Sequence, residues 1–169
     1  MHRTRIRQHA VERWKTYHLN GLGSGVECTS TTQDGHTIST SLPKMMGGSN
    51  SAAQPVYLLL AALVGCKQAT AMFVARQMKP PVVITSIKFE VKASRDEKGA
   101  LSLPLAKPLE AVSRLQQVSG RAMVETQASQ EEVDEIGRQV HQRCPIANMM
   151  SLSGCDVDVQ WVAVSKHQD

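Results

Sequence analysis

The chain has 169 residues, of which 41% are hydrophobic but only 4% aromatic, enough apolar mass for one core or for one core completed by a partner subunit. Its formal charge of +4 sits in the first fifteen residues, "MHRTRIRQHAVERWK", which hold five Lys/Arg and one Glu, whereas the remainder holds fourteen of each sign. A neutral body without interleaved aromatic and basic residues argues against nucleic acid as a partner.

In chain order, the Arg-rich residues 1–13 are expected to be a disordered extension, with an organelle transit segment as the alternative. Residues 14–169 are expected to form a single domain. The stretches "ERWKTYHL", "GVECTST" and "HTISTSL" predict three short antiparallel strands, with hairpin turns signalled by Gly21, Gly23, Gly25 and Gln33-Asp34-Gly35. A loop follows at Pro43 and Gly47-Gly48-Ser49-Asn50. A helix is expected from about Gln54 to Met78, because Pro55 is tolerated in a first turn and Pro80-Pro81 cannot continue one. Over its first three turns this helix is apolar nearly all round, so it must be enclosed. Its unbroken apolar run, Val56 to Cys66, is eleven residues, short of the roughly 20 that span a bilayer; no membrane partner is expected.

Strict alternation from Ser86 to Ala93 marks a half-buried strand. The segment "RDEKGALSLPLAKPLE" reads as a loop, and "VSRLQQVSGRAMVET" as a further strand with a bulge near Gly120. Ser129 followed by Glu132 is a capping box, with Val133, Ile136 and Val140 at helical spacing behind it. That helix runs to about Arg143, and Pro145 suits the first position of another. The close, "CDVDVQWVAV", alternates again, placing Val157, Val159, Trp161 and Ala163 on one face. The order β-β-β-α-β-β-α-β indicates an α+β fold.

Four cysteines, Cys28, Cys66, Cys144 and Cys155, show no C-x-x-C pair in a chain large enough to fold without staples, which suits a reducing compartment. The expected location is the cytoplasm, with the mitochondrion as the alternative on account of the Arg-rich opening. Cys144, before Pro145, occupies the N-cap of a short helix, where free N–H groups and the dipole favour a negative sulfur and a lowered pKa. Cys66 lies inside a helix and needs a nearby cation, such as Lys67, or residues from another segment. Taken singly each cysteine reads as a buried inert thiol, and Cys28 and Cys155 keep that reading. His141-x-x-Cys144 has a spacing that can share a metal ion, but no second paired motif accompanies it. No metal and no cofactor are expected.

Gly47-Gly48, "PVYLLLAALVGC" from Pro55 to Cys66, a strictly alternating strand after a helix-ending proline, and "RCPIAN" from Arg143 to Asn148 together resemble the OsmC/Ohr family, the osmotically induced and organic-hydroperoxide-resistance proteins, in its OsmC-like branch. The resemblance covers about residue 14 to the end. It implies an antiparallel sheet wrapping a long central helix, in an intertwined homodimer. It further implies a cysteine-based hydroperoxide reductase in which Cys66 is the peroxidatic thiolate and Cys144 resolves it, so that sulfenic acid condenses to a disulfide. The implied partners are an organic hydroperoxide, held in an apolar pocket of Leu, Met and Val, and a dithiol reductant of lipoyl type or another thiol. Where family members usually carry a Glu after the matching proline, this chain has Val56 and Tyr57, and Gln33 stands where an Arg is common in one branch. The usual activating ion pair is thus expected to be absent, which leaves Cys66 mostly protonated at neutral pH unless Lys67, Arg143 or Arg76 compensates. Supporting candidates are Tyr57, Gln33, Lys67 and Arg143, with Arg76 also in reach; Lys67 adjoins Cys66 on the helix and points away from it, while Tyr57 either bonds a peroxide oxygen or sits in the core. The alternative function is an OsmC-like thiol-bearing binding or redox-sensor protein without efficient peroxide turnover.

Overall fold

A computed structural model describes residues 14–165, so the basic opening, residues 1–13, lies outside the described residues. The chain divides into two compact units, one ending at Pro55 and the other beginning at Val56.

The first unit is an antiparallel meander of β1 (Leu19–Ser24), β2 (Glu27–Thr32) and β3 (Thr37–Thr40), in the order β1-β2-β3. The first strand is displaced from its expected place in "ERWKTYHL" to the glycine-bearing Leu19–Ser24. The reason is the tight turn at Gly25, whose φ of 58° pairs Ser24 with Glu27 and so draws Gly21 and Gly23 into the ladder instead of a loop. At Gly21 a side chain would press on the hydroxyl of Ser30 across the pair. All six residues of β1 are exposed; this sheet has no buried face on that strand. Beyond β3, the Glu27 carboxylate gathers the hydroxyls of Ser41 (3.1 Å), Ser51 (3.1 Å) and Ser49, which pins the loop carrying Gly47 and Gly48. Those serine bonds hold the Glu27 carboxyl below its usual range. Gly48 is required there because a Cβ would collide with the Leu42 carbonyl.

The second unit contains the remaining elements: α1 (Pro55–Gln77), β4 (Ile84–Arg95), the short α2 (Glu97–Ala100), β5 (Leu115–Thr126), α3 (Gln130–Arg143), α4 (Pro145–Leu152) and β6 (Asp156–Val164). Its sheet has the order β4-β5-β6. The α+β class and the expected element order stand, but this sheet is not wholly antiparallel. β4 and β5 pair antiparallel, whereas β5 and β6 run parallel from Gln117↔Asp156 to Glu125↔Val164, because the two helices between them form a crossover that returns the chain in the same direction. Nor does a bulge fall at Gly120. The irregularities lie at Ile84/Ser86 and Ser94/Arg95, and Gly120 stays in register because a Cβ would strike the Glu90 carbonyl of β4.

The core of this unit joins Leu63, Ala71, Val74 and Ala75 of α1 to Val118, Ala122 and Val124 of β5, Val133, Ile136 and Val140 of α3, and Trp161 of β6. The capping box forms as expected: Ser129 N–H donates to Glu132 at 2.8 Å, and Glu132 N–H to Ser129 Oγ at 3.3 Å. Gln130 then acts as a clamp on β6, donating to the Trp161 carbonyl at 2.8 Å and accepting from Ala163 N–H at 2.8 Å. On α1, however, burial is confined to one stripe, Leu63, Lys67, Ala71, Val74 and Ala75. Tyr57, Leu59 and Phe73 are exposed, so the enclosure foreseen for this helix is not completed by the described residues of the second unit. Taken whole, the 23-residue helix is long and apolar enough to cross a bilayer by length and composition, a test the eleven-residue run alone does not meet; its buried stripe nonetheless carries Lys67 at its middle.

Candidate active site

Two helix positions bring sulfur to one place. Cys66 sits at the middle of α1, with its carbonyl capped by the Thr70 hydroxyl at 2.8 Å. Cys144 is the hinge between α3 and α4. Its N–H closes α3 on the Val140 carbonyl at 2.9 Å, its extended backbone (φ −75°, ψ 112°) breaks the helix, and Pro145 starts the next one at a position where no N–H is missed. Its Sγ accepts from Ala147 N–H at 3.4 Å, as an N-cap side chain does.

The junction is held by a residue whose role sequence reasoning missed. The Asn148 side-chain amide donates to three carbonyls, those of His141 (3.1 Å) and Gln142 (3.1 Å), which the end of α3 leaves without a helical partner, and that of Cys144 (2.9 Å), which also accepts the Asn148 N–H at 3.0 Å. An amide side chain four residues after a cysteine that caps one helix and opens another was the available signal.

The Cys144 Sγ donates to the Cys66 Sγ across 2.7 Å, far inside ordinary non-bonded contact yet longer than the roughly 2.05 Å of a formed disulfide. Both cysteines are free thiols. They differ in access: Cys144 is 0% exposed, while Cys66 is only partly buried. Burial pushes the Cys144 thiol above its ordinary value, and the bond to Cys66 adds to that, against a smaller pull from the Ala147 and Ile146 N–H groups. The expectation of a lowered Cys144 pKa is therefore corrected. The N-cap effect is present, but desolvation under α1 outweighs it. Cys144 is left as the proton donor and Cys66 as the acceptor.

Lys67 also departs from expectation. Neighbouring helix residues diverge by about 100°, which was the ground for discounting it, but the core-facing stripe of α1 runs through Lys67 itself and leaves Cys66 at its rim. Lys67 is 2% exposed. Burial lowers its pKa, and the two sulfurs, near enough for their charge to be felt, act in the opposite sense.

Of the other candidates, Tyr57 and Arg143 lie in the second unit with the sulfurs and Gln33 in the first. Tyr57 precedes Cys66 by nine residues, about two and a half helical turns, and so lies on the opposite face of α1; it is 61% exposed and not part of the core. Gln33 belongs to the first unit, in the β2–β3 turn, where its N–H donates to the His18 carbonyl at 3.3 Å. Arg143 is exposed at the end of α3, its Nε on Gln139 Oε1 at 2.9 Å. With Ala69, Thr70 and Phe73 it lines an open depression of about 450 Å³; these α1 residues follow Cys66 at i+3, i+4 and i+7 and share its face. The adjoining groove, about 400 Å³, adds Val74, Met78 and Glu135. Cys155 is buried, which raises its thiol pKa, and Cys28 lies on β2 with Ser30 Oγ at 3.8 Å. Among the described residues, no three His, Cys, Asp or Glu side chains converge as metal ligands do.

A family model described as OsmC-like protein matches residues 48–160. The fold is similar to the crystal structure of an OsmC-like protein from Mycoplasma pneumoniae, with a TM-score of 0.71 and 21% identity over 89% of this chain and 98% of that one. It is similar also to an organic hydroperoxide resistance protein OsmC from Legionella pneumophila, with a TM-score of 0.68 and 22% identity over 89% and 99%. A third structure, an organic hydroperoxide resistance protein from Elizabethkingia anophelis with thiocyanate bound, has a TM-score of 0.66 and 18% identity over 91% and 100%. No curated protein sequence matches the chain.

Proposed function

Since the chain belongs to the OsmC-like family, we propose that it is a thiol-dependent peroxidase that reduces organic hydroperoxides, with Cys66 as the attacking sulfur and Cys144 as the resolving one. The observation that carries this reading is the 2.7 Å approach of an accessible Cys66 to a fully buried Cys144. The Cys66 thiolate attacks the distal peroxide oxygen, the O–O bond breaks, and the alkoxide leaves and takes up a proton as the alcohol. The Cys66 sulfenic acid then condenses with the Cys144 thiol, releasing water and forming the disulfide. A dithiol reductant, of lipoyl type or another thiol, returns both sulfurs to the reduced state and leaves as its own disulfide. The depression along α1 beside Cys66, floored by Ala69 and Phe73, supports an organic substrate over hydrogen peroxide.

The working form in this reading is a homodimer. Its support is the unburied face of β1 and the exposed Tyr57, Leu59 and Phe73 of α1, apolar area of the kind a second copy covers; light scattering at the mass of one chain would remove it. Four cysteines without a staple framework support a reducing compartment, the cytoplasm, as its place.

The test is turnover of cumene hydroperoxide with a dithiol reductant. Cys66→Ser is expected to abolish turnover, and Cys144→Ser to allow one attack and then stall at a sulfenic acid that dimedone traps on Cys66. Unchanged steady-state turnover in either variant overturns the two-thiol scheme. Loss of no thiol in the wild type favours the sensor or binding alternative.

A further inference from the structure

The groove between α1 and α3 carries one charge that has no counter-ion among the described residues. On α3, Glu135, Gln139 and Arg143 recur every four residues and so share a face, and they line the groove together with Phe73, Val74 and Met78 of α1. The three polar side chains are joined in a row. Glu135 accepts from Arg138 Nε at 2.7 Å and Nη2 at 2.6 Å, and from the Gln139 amide at 2.9 Å, bonds that hold its carboxyl down to about 2. Gln139 Oε1 in turn accepts from Arg143 Nε at 2.9 Å. The acid is thereby paired and the arginine is not. Among the described residues Arg143 forms no ion pair, and its one hydrogen bond is made by Nε, which leaves both Nη amino groups of the guanidinium without a protein partner.

The sulfur pair fixes where that cation stands. Arg143 is the chain neighbour of Cys144, whose Sγ lies 2.7 Å from that of Cys66. It lines both the depression shared with Ala69 and Thr70, of about 450 Å³, and the groove of about 400 Å³ that continues to Gln77 and Met78; Phe73 is common to the two, so they adjoin. From Ala69 to Met78 the α1 floor rises nine residues, about 14 Å, room for a flexible apolar chain. A planar guanidinium with two free amino groups matches the two oxygens of a carboxylate, and is weakly hydrated enough to work beside apolar surface. No second cation lines either space, which suits the single charge of a carboxylate better than a doubly charged phosphate. We propose that Arg143 is a specificity residue of this site, binding a carboxylate on the substrate, so that hydroperoxides of apolar carboxylic acids are preferred over neutral ones. The inference rests on the peroxidase reading with Cys66 as the attacking sulfur. In this role Arg143 acts on binding and not on cleavage of the O–O bond, so its contribution falls on KM rather than kcat.

The test compares ω-hydroperoxyoctanoate with its methyl ester, using dithiothreitol as the reductant so that only the substrate carries a carboxylate. Wild-type protein is expected to show a KM about tenfold lower for the acid than for the ester, the order a charge-assisted bidentate pair supplies. Arg143→Gln should bring the two to the same KM, Arg143→Lys should keep part of the difference, and Arg143→Glu should reverse it. Equal KM values in the wild type, or a difference that survives in Arg143→Gln, overturns the proposal. So does a loss in Arg143→Gln of the same size on both probes, which is what a cation serving only the end of α3 would give. Binding is also read without peroxide: octanoate should slow the alkylation of Cys66 by iodoacetamide in the wild type, and much less in Arg143→Gln. Turnover of both probes with no advantage for the acid removes this inference and leaves the peroxidase. Should both probes and cumene hydroperoxide leave the thiols intact, the peroxidase reading falls, and the octanoate experiment decides by itself: protection that depends on Arg143 keeps the carboxylate site, and its absence removes it.

Discussion

Cys144 belongs to two helices at once, and its position depends on an amide four residues away. With its two donors spread over the His141, Gln142 and Cys144 carbonyls, Asn148 sets how the α3–α4 corner presents sulfur to Cys66. Removing that amide takes a hydrogen bond from the carbonyls of the exposed His141 and Gln142, while the Cys144 carbonyl keeps the Asn148 N–H at 3.0 Å, a loss of about 0.5–1.5 kcal/mol. Asn148→Ala is therefore expected to lower stability by that amount in urea unfolding. It should also slow disulfide closure after peroxide treatment while leaving the first oxidation of Cys66 unaltered, because α1 is untouched. Equal rates of closure in the variant and the wild type would leave Asn148 a bystander. At this scale the sequence was partly legible. Pro145 after Cys144 revealed the N-cap, and the resemblance paired the two sulfurs. The protonation of Cys144 was not legible, since the desolvation that raises it comes from α1, 78 residues away in sequence. The same holds for Lys67, whose identity as a core residue follows from which stripe of α1 faces the sheet.

Elements are fixed to one another at a few close approaches, of which Gly137 against Trp161 joins α3 to β6. A Cβ at Gly137 would stand 2.5 Å from the indole Cδ1, and the indole is itself held edge-on by Phe89, ring centroids 5.9 Å apart at 88°. Gly137→Ala should thus destabilise the protein by about 1–3 kcal/mol through overpacking, although alanine favours a helix by up to about 1 kcal/mol over glycine; a midpoint of urea unfolding that rises would show that α3 can lift from β6 freely. Period-2 alternation located β4 and β6, and the Ser129/Glu132 capping box located the start of α3, because those signals are local. Strand direction is not a local property. The parallel pairing of β5 and β6 is encoded in the length and helical content of the connection between them, and β1 escaped because its glycines serve a ladder while looking like turn residues.

For the whole molecule, the two units differ in how well one chain satisfies them. The second has a closed core and holds both sulfurs, whereas β1 in the first is exposed along its length and α1 offers Tyr57, Leu59 and Phe73 to its surroundings. Composition already pointed this way: few aromatics, much Ala, Val and Met, and a helix too apolar for its own chain to cover. Family and fold class were legible because the Pro55–Cys66 and Arg143–Asn148 segments occur in the right order, while the burial of Lys67 was not, because it depends on which side chains the fold turns inward. The central claim is that Cys66 and Cys144 form one redox couple. Its most direct test is to treat fully reduced protein with a slight excess of cumene hydroperoxide, count the remaining thiols and map the linked peptides by mass. The account predicts two thiols lost per chain, joined as Cys66 to Cys144, with Cys28 and Cys155 still free; all four thiols retained, or a disulfide that excludes either sulfur, would contradict it.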